Sequence, residues 1–518
     1  MTRGLLVGVF VLAAGVAGAQ DVRTADCTVA ALQAKAPGGT TVTAAAVVSA
    51  TGNVPQYCQV DASVATPGNT VNFRLGLPAA WNNKFYFEGV GGFAGSIGQL
   101  RTGLARGYAS ASTDTGHQGS VTDASWALNN AAKELDYAHR GTHATAVAAK
   151  ALSTAYYGSA PRHAYFSGCS NGGRQALMEA QRYPGDFDGI IAENPSFGTL
   201  GQMQRALILR TLLKSPDHVL PPAKVKLLSD AVVASCDARD GLADGLISDP
   251  RACTFRPETP ACSGADAPGC LTRGQVETVK AVYSDVRGPD GIVLRGFPMG
   301  HEDGTSGWQQ WITGATPPVP QADGRLAFSG RAPLGFSFAD GFLRYLSFPE
   351  DDPNFDLRTF SFERHGSKLK ASIEAFSPTN PDLSPFRKAG GKLIVAHGWS
   401  DPGLSAAATI AYYDEVVKTA GGRQQSDQFV KLFMVPGMHH CQGNGPGPNR
   451  FDMLTALEQW VERGVAPSRV VASHATGGVV DRTRPLCAFP QTARYVGSGS
   501  IDAAESFRCE TPPAGTSK

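Results

Sequence analysis

The chain has 518 residues, 42% of them hydrophobic and 18% charged, with 60 glycines, 34 prolines and a formal net charge of +1. That length exceeds one ordinary hydrophobic core, so two lobes or a core with a large insertion is expected, and the glycine and proline content argues against a helical bundle. With a charge near zero and no run of Lys or Arg, nothing supports nucleic-acid binding or attraction to a membrane surface.

At the N-terminus, Arg3 precedes an apolar stretch over 4–16, and Ala17-Gly18-Ala19 follows before Gln20. A charged start, a short apolar run and an A-x-A site make residues 1–19 a signal peptide, and the destination secreted or periplasmic. The stretch is shorter than the ~20 residues that span a bilayer, and no later segment is longer and apolar, so no membrane span is expected. Ten cysteines without a C-x-x-C pair point to five disulfides rather than a zinc ribbon or thioredoxin-like chemistry.

Residues 72–77 and 84–88 read as strands, with Pro78 and Trp81-Asn82-Asn83 turning between them. The second strand runs into the glycine-rich loop Gly89-Val90-Gly91-Gly92-Phe93-Ala94-Gly95. An alanine-rich helix is predicted over 135–157, stopped by Gly158. A strand over 164–167, a sharp turn at Gly168, a helix over 174–183 closed by Pro184-Gly185, and a strand over 189–192 come next. The alternation predicts a mostly parallel sheet with helices on both faces, which together with the serine turn described next is expected to be an α/β-hydrolase fold. From 195 to 390 the rhythm breaks, with four cysteines, many prolines and scattered aromatics, which reads as an inserted lid domain. The core resumes with a buried strand over 392–396, a helix over 405–418 and a strand over 429–434. The catalytic domain is therefore placed at 20–194 and 391–518, its last fifty residues forming a stapled tail.

Gly168-Cys169-Ser170-Asn171-Gly172 fits G-x-S-x-G at a strand-to-helix turn. A nucleophile elbow needs small flanking residues because the serine sits in a strained turn, and it lies at a helix N-terminus that favours a developing oxyanion. A serine needs a base, and in this fold the partners follow in the order Ser, Asp or Glu, His. Asp401, in His397-Gly398-Trp399-Ser400-Asp401-Pro402, follows one strand; His439 and His440, in Pro436-Gly437-Met438-His439-His440-Cys441, follow the next. Both loops open on one edge of the sheet, and spacing alone does not choose between the histidines.

The stretch from Tyr165-Phe166-Ser167-Gly168-Cys169-Ser170-Asn171-Gly172-Gly173-Arg174 through Tyr183-Pro184, with Gly398-Trp399-Ser400-Asp401-Pro402 and Pro436-Gly437-Met438-His439-His440-Cys441, closely resembles the tannase and feruloyl esterase family. That family also includes mono(2-hydroxyethyl) terephthalate hydrolase. The resemblance runs over nearly all of the mature chain. It implies a bridge Cys169–Cys441, and with it His440 as the base beside Ser170 and Asp401. It further implies Cys27–Cys58, Cys236–Cys253, Cys262–Cys270 and Cys487–Cys509. Family members usually carry a small residue where this chain has His439, which would alter the rim of the site.

The lid segment running from Cys236-Asp237-Ala238-Arg239-Asp240 through Gly241-Leu242-Ala243-Asp244-Gly245-Leu246 can gather three carboxylates on one hard cation, or be a solvated acidic turn. The resemblance implies a structural Ca²⁺ held by Asp237, Asp240 and Asp244 and by the carbonyls of Leu242 and Leu246. For the oxyanion, N–H donors are expected from Asn171 and from Gly91 or Gly92.

The expected reaction is hydrolysis of a carboxylic ester through an acyl-enzyme. The resemblance implies small aromatic acids: hydroxycinnamates such as ferulate first, with gallate esters or the terephthalate half-ester as alternatives. Trp308, Trp311, Phe336, Phe338 and Phe342 of the lid are candidates to frame the ring. A catalytically inactive binding protein of the same fold is the rival of another class. No protein partner is indicated.

Overall fold

Nine strands form the central sheet of the computed structural model, which describes residues 25–512. The signal peptide read over 1–19 lies outside the described residues. One edge is an antiparallel meander of β1 (Thr40–Val48), β2 (Tyr57–Thr66) and β3 (Asn69–Pro78). Beyond β3, which pairs antiparallel with β5 (Ala109–Thr113), the strands run parallel. They follow in the order β5, β4 (Lys84–Glu88), β6 (His163–Cys169), β7 (Gly189–Glu193), β8 (Lys392–Gly398) and β9 (Val430–Val435).

The central strands are runs without alternation because both their faces are covered. Phe87, Phe166, Ile190, Leu393 and Val395 meet α1 (Gly141–Tyr157), α2 (Asn171–Arg182) and α3 (Ala406–Thr419) through Leu152, Leu177 and Tyr413. Tyr86, Tyr165, Ile191, Ile394 and Phe433 point the other way, onto Leu457 and Trp460 of α4 (Met453–Arg463). Ile190 and Ile191 thus serve opposite cores, as the two-residue period of a strand dictates. This is the α/β-hydrolase arrangement.

The helix predicted over 135–157 is divided. Asp136–Arg140 forms a wide π-helical turn, and only then does α1 run regularly to Gly158, whose φ of 79° ends it. The cause lies in α2: Arg174 donates from Nη2 to the Tyr137 carbonyl (2.7 Å) and from Nη1 to the Ala138 carbonyl (2.5 Å). A guanidinium inserted at these carbonyls competes with the i→i−4 ladder and opens the turn.

Between β7 and β8, which are neighbours in the sheet, the chain leaves for nearly two hundred residues and adds no strand to it. This excursion contains the helices Gly198–Leu212, Pro222–Cys236, Arg273–Tyr283 and Leu334–Tyr345, none of which the sequence pattern resolved. It shares one core with the segment before it, where Met203, Leu209 and Phe342 pack with Phe93 and Tyr137, and builds another of its own around Ile208, Leu228, Val279 and Trp308. After α4, a hairpin of Arg469–Thr476 and Val479–Cys487 turns over Gly477-Gly478, both at positive φ, and Ala488 bridges to Phe433 of β9. All ten cysteines are paired, as Cys27–Cys58, Cys169–Cys441, Cys236–Cys253, Cys262–Cys270 and Cys487–Cys509. No helix among the described residues is long and apolar enough to cross a membrane.

Candidate active site

Ser170 stands between the end of β6 and the first residue of α2 with φ 65° and ψ −121°, a conformation a side chain rarely tolerates. Close backbone packing imposes it. A Cβ on Gly168 would come within 2.6 Å of the Gly172 backbone, so only glycine lets strand and helix approach this closely. The Ser170 N–H donates to the Glu193 carbonyl (3.0 Å), and the Ser170 carbonyl accepts from the N–H groups of Arg174 (3.0 Å) and Ser196 (3.1 Å).

The Cys169–Cys441 bridge brings the histidine loop to this turn, with Cα atoms 6.0 Å apart across 272 residues of sequence. His440 Nδ1 lies 2.9 Å from Asp401 Oδ2. A carboxylate only accepts, so Nδ1 carries the hydrogen and Nε2 is left free to take a proton. The Ser170 hydroxyl is not hydrogen-bonded to His440 here; such contacts often tighten only with substrate bound. His439 points elsewhere. It is buried, its Nδ1 2.8 Å from Ser306 Oγ and its Nε2 2.8 Å from the His301 carbonyl. It anchors the lid rather than forming a rim, and burial lowers its pKa.

Asp401 is completely enclosed. Burial alone would raise its pKa, but His440 beside it and the hydrogen bond from His397 hold the carboxyl far below the usual range. Asn194 Nδ2 donates to Oδ2 at 2.7 Å, and the N–H groups of Gly403 and Leu404 donate to Oδ1 at 2.7 and 3.0 Å. His397 Nε2 stands 3.2 Å from Oδ2. The sequence reading quoted His397 in its motif without assigning it a part, and passed over Asn194.

Ser170, Asn171 and Gly92 line one cavity with Phe93, Tyr137 and Trp311. Asn171 opens α2, where its N–H has no intrahelical acceptor. Gly92 has φ 59°, and a Cβ there would strike the Val121 carbonyl, so this turn also requires glycine. Gly91 is exposed and does not line the cavity, which leaves Gly92 as the better placed of the two. The loop is pinned to α2, since Asn171 Nδ2 donates to the Val90 carbonyl (2.9 Å) and the Val90 N–H donates to Gln175 Oε1 (3.0 Å). Of the five lid aromatics named from sequence, Trp311, Phe338 and Phe342 face Ser170. Trp308 packs on Tyr283 (5.6 Å between centroids) and Phe336 on Phe328 (5.5 Å), inside the lid. Trp311 also meets the His440 ring at 4.4 Å. Buried Arg205, missed in the sequence, lines the cavity, donates to the Gly403 carbonyl and to Gln202 Oε1, and is lowered by burial to about 10.

The acidic lid loop lies against the C-terminal hairpin. Arg484 pairs with Asp244, and Arg494 donates to the Asp240 carbonyl. Asp237 accepts from the Gly245 N–H (2.9 Å) and Asp240 from those of Leu242 (3.0 Å) and Ser248 (3.1 Å). Among the described residues no hydrogen-bond donor reaches the carbonyls of Leu242 or Leu246. Oxygen donors of this kind are what a hard cation takes, but Asp237, Asp240 and Asp244 do not bring one oxygen each within 4.8 Å of the others, and Arg484 holds Asp244. The Leu246 side chain abuts Gly437, where a Cβ would fall 2.8 Å from Leu246 Cδ2, so the loop touches the segment that carries His440.

A family model described as "Tannase and feruloyl esterase" matches residues 57–510. An uncharacterized esterase of Xanthomonas campestris pv. campestris is 37% identical over 504 residues, covering 89% of this chain and 86% of that one. The mono(2-hydroxyethyl) terephthalate hydrolase of Piscinibacter sakaiensis is 33% identical over 537 residues, covering 91% and 87%. Among solved structures, feruloyl esterase B from Aspergillus oryzae aligns with a TM-score of 0.81 at 26% identity over 94% of this chain and 99% of that one.

Two carboxyls stand at the ends of the strands flanking β6, Glu193 buried at the end of β7 and Glu88 partly buried at the end of β4. Glu193 receives Gln442 Nε2 at 2.8 Å and Glu88 receives the Tyr86 hydroxyl at 2.8 Å. Burial pushes each up to about 7, with the charge of Glu193 contributing to the rise at Glu88. In the unfolded chain a glutamate loses its proton near pH 4.3, so from there to about pH 7 the folded state holds protons the unfolded state has released. Their contribution to stability is therefore complete below about pH 4.3 and is lost as pH rises through about 7. Glu193→Gln removes one such group. Thermal unfolding from pH 4 to 8 should show the variant gaining on the parent with rising pH, by on the order of 2 kcal/mol at pH 8. Parallel pH profiles would refute this.

Proposed function

Since the chain belongs to the tannase and feruloyl esterase family, and is on that ground a carboxylic ester hydrolase, we propose that it cleaves esters of small aromatic acids through an acyl-enzyme on Ser170. Feruloyl and related hydroxycinnamoyl esters are the first choice of substrate. The observation that carries this reading is the cavity itself, in which Ser170 and the oxyanion donors Asn171 and Gly92 are faced by Phe93, Tyr137, Trp311, Phe338 and Phe342. The cavity's free volume of about 20 Å³ holds little more than a water, so an aryl acyl group, which stacks or meets ring edges at aromatic walls, enters as the lid side chains part.

His440 Nε2 removes the Ser170 proton as the hydroxyl attacks the ester carbonyl, and returns it to the leaving alcohol. Water activated by the same nitrogen then releases the acid. Asp401 remains ionised throughout, keeps Nδ1 protonated and stabilises the imidazolium. The N–H groups of Asn171 and Gly92 receive the oxyanion. The 33% identity to the terephthalate half-ester hydrolase favours that substrate as the second reading. Secretion into an oxidising compartment completes the proposal, supported by five disulfides.

Ca²⁺ would be held by Asp237, Asp240, Asp244 and the carbonyls of Leu242 and Leu246, where its charge would tie the acidic loop together. The chain's own residues carry every step of the reaction.

Ser170→Ala should lower turnover by on the order of a million-fold and abolish fluorophosphonate labelling, while the fold stays intact. A panel of methyl ferulate, methyl gallate and mono(2-hydroxyethyl) terephthalate, compared by kcat/KM, should place ferulate first. His440→Ala should match Ser170→Ala, whereas His439→Ala should keep most turnover and lose stability as the lid loosens. Retained labelling in Ser170→Ala, or inactivity of His439→Ala alone, would overturn these assignments.

Chelation should lower the melting temperature, with calcium restoring it. At calcium 100-fold above its Kd the gain is about 2.7 kcal/mol. Part of the turnover should fall in parallel, because Leu246 supports Gly437. A melting temperature unmoved by chelator and calcium would remove the site.

A further inference from the structure

A second cluster with ligand chemistry stands apart from the cavity. His143 lies in the first turn of α1, Glu179 in the last turns of α2, and Asp186 in the loop before β7. One ligand atom from each falls within 4.8 Å of the other two, the width across one coordinated ion with bonds of about 2.0–2.4 Å. The other cluster meeting this spacing, Cys169, His440 and Cys441, has its sulfurs joined to each other and offers no thiolate.

What separates the first cluster from an ordinary acidic corner is Glu179. It is fully buried, and among the described residues no donor reaches either carboxylate oxygen, the polar group beside it being the Asp186 carboxyl, with which it can share a proton. Other buried carboxylates have donors, Asp136 from Thr66 and Asn69, Asp401 from four or more, and Glu302 in the lid from Tyr283 and the Gly300 N–H on one of its two oxygens. Lys150 does not meet the need. Its ammonium donates to the Asp186 carbonyl (2.6 Å) and stands 3.6 Å from Asp186 Oδ1. A lone buried carboxyl stays neutral or takes a cation.

The surroundings hold the imidazole as a ligand would be held. The His143 ring stacks on Tyr183 at 3.8 Å and 4°, and the Tyr183 hydroxyl is 2.7 Å from His139 Nδ1. Its Nδ1 lies 2.6 Å from Asp186 Oδ2. The His143 side chain is 35% exposed, which leaves an approach from solvent. The stacking fixes the plane of the imidazole, and the Nδ1 contact fixes which edge of it meets Asp186.

We propose that His143, Glu179 and Asp186 bind one divalent transition ion, with zinc the best match. One imidazole nitrogen and two carboxylates suit zinc or cobalt better than calcium, which prefers oxygen alone. A fourth position faces solvent beside His143. Binding releases the proton that Glu179 holds in the metal-free chain and replaces the hydrogen shared by His143 and Asp186. The two side chains then part by about 0.7 Å, from 2.6 Å to the roughly 3.3 Å edge of a tetrahedron with bonds of about 2.0–2.1 Å. The ion clasps the start of α1 to the end of α2. Ser170 precedes Glu179 by nine residues, about 13.5 Å along the helix axis, so the ion stabilises the elbow helix without touching the reaction.

The test uses the full mature chain without an affinity tag, stripped with chelator and dialysed back into calcium. Zinc titrated by calorimetry, with metal analysis after gel filtration, should show one equivalent bound and a higher melting temperature, with kcat at 25 °C unchanged. Cobalt should give visible absorption bands of a low-coordinate nitrogen and oxygen site. Glu179→Gln and His143→Ala should each weaken zinc binding at least 10–100-fold and erase the cobalt bands. His143 is partly exposed, so that variant reports even if the buried substitution harms folding. No zinc bound by the parent, or zinc bound equally by both variants, overturns the proposal. So does a Glu179→Gln chain more stable than a parent that takes no zinc, since a proton shared with Asp186 would then suffice.

Discussion

The Cys169–Cys441 bridge is the constraint on which the site depends. It joins the residue before the candidate nucleophile to the residue after the candidate base, across 272 residues that include the whole lid. Both sides of it are strained: Ser170 has φ 65° and Cys441 φ 62°. Such conformations persist only where the surroundings over-determine them. At the elbow that role falls to the contact of Gly168 with Gly172, and at the histidine loop to the bridge itself. Asp401 arrives independently from β8 and is fixed by Asn194, His397 and two backbone N–H groups, so the imidazole is held from two directions.

The lid bears on every part of this assembly. Arg205, on the first lid helix, donates to the carbonyl of Gly403, two residues past Asp401. His439 reaches into the lid at His301 and Ser306. Trp311 lies against His440, and Leu246 abuts Gly437. The insertion leaves from the end of β7 and returns at the start of β8, adjacent strands whose C-terminal ends carry Glu193 and the Asp401 loop. An excursion anchored there covers the cavity with little displacement of the core.

The motif residues were legible because the chemistry requires them in a fixed order with small neighbours, and the elbow, both partner loops and the disulfide pairs lie where the sequence and its resemblance put them. Other features left no such trace. β5 was missed because Ser110 and Ser112 are small, polar and fully buried, so no apolar alternation marks the strand. The helix Gly198–Leu212 is buried over most of its surface, Gln202, Gln204 and Arg205 included, so polar residues stand where an amphipathic stripe would be apolar. The break at Asp136–Arg140 depends on Arg174, more than thirty residues away, and the contact of the acidic loop with Arg484 spans 240. Long-range partners of this kind are invisible to local pattern.

The bridge spans so long a loop that constraint of the unfolded chain is worth on the order of 5 kcal/mol, but its positional effect on the base is the larger claim. The direct measurement is kcat of the double variant Cys169→Ala/Cys441→Ala at a temperature where circular dichroism reports a folded chain. The account predicts a loss of at least a hundred-fold in kcat with little change in KM, since a small displacement of His440 costs far more in rate than in stability. Near-parental turnover in a folded double variant would contradict it, and would leave packing alone to position the base.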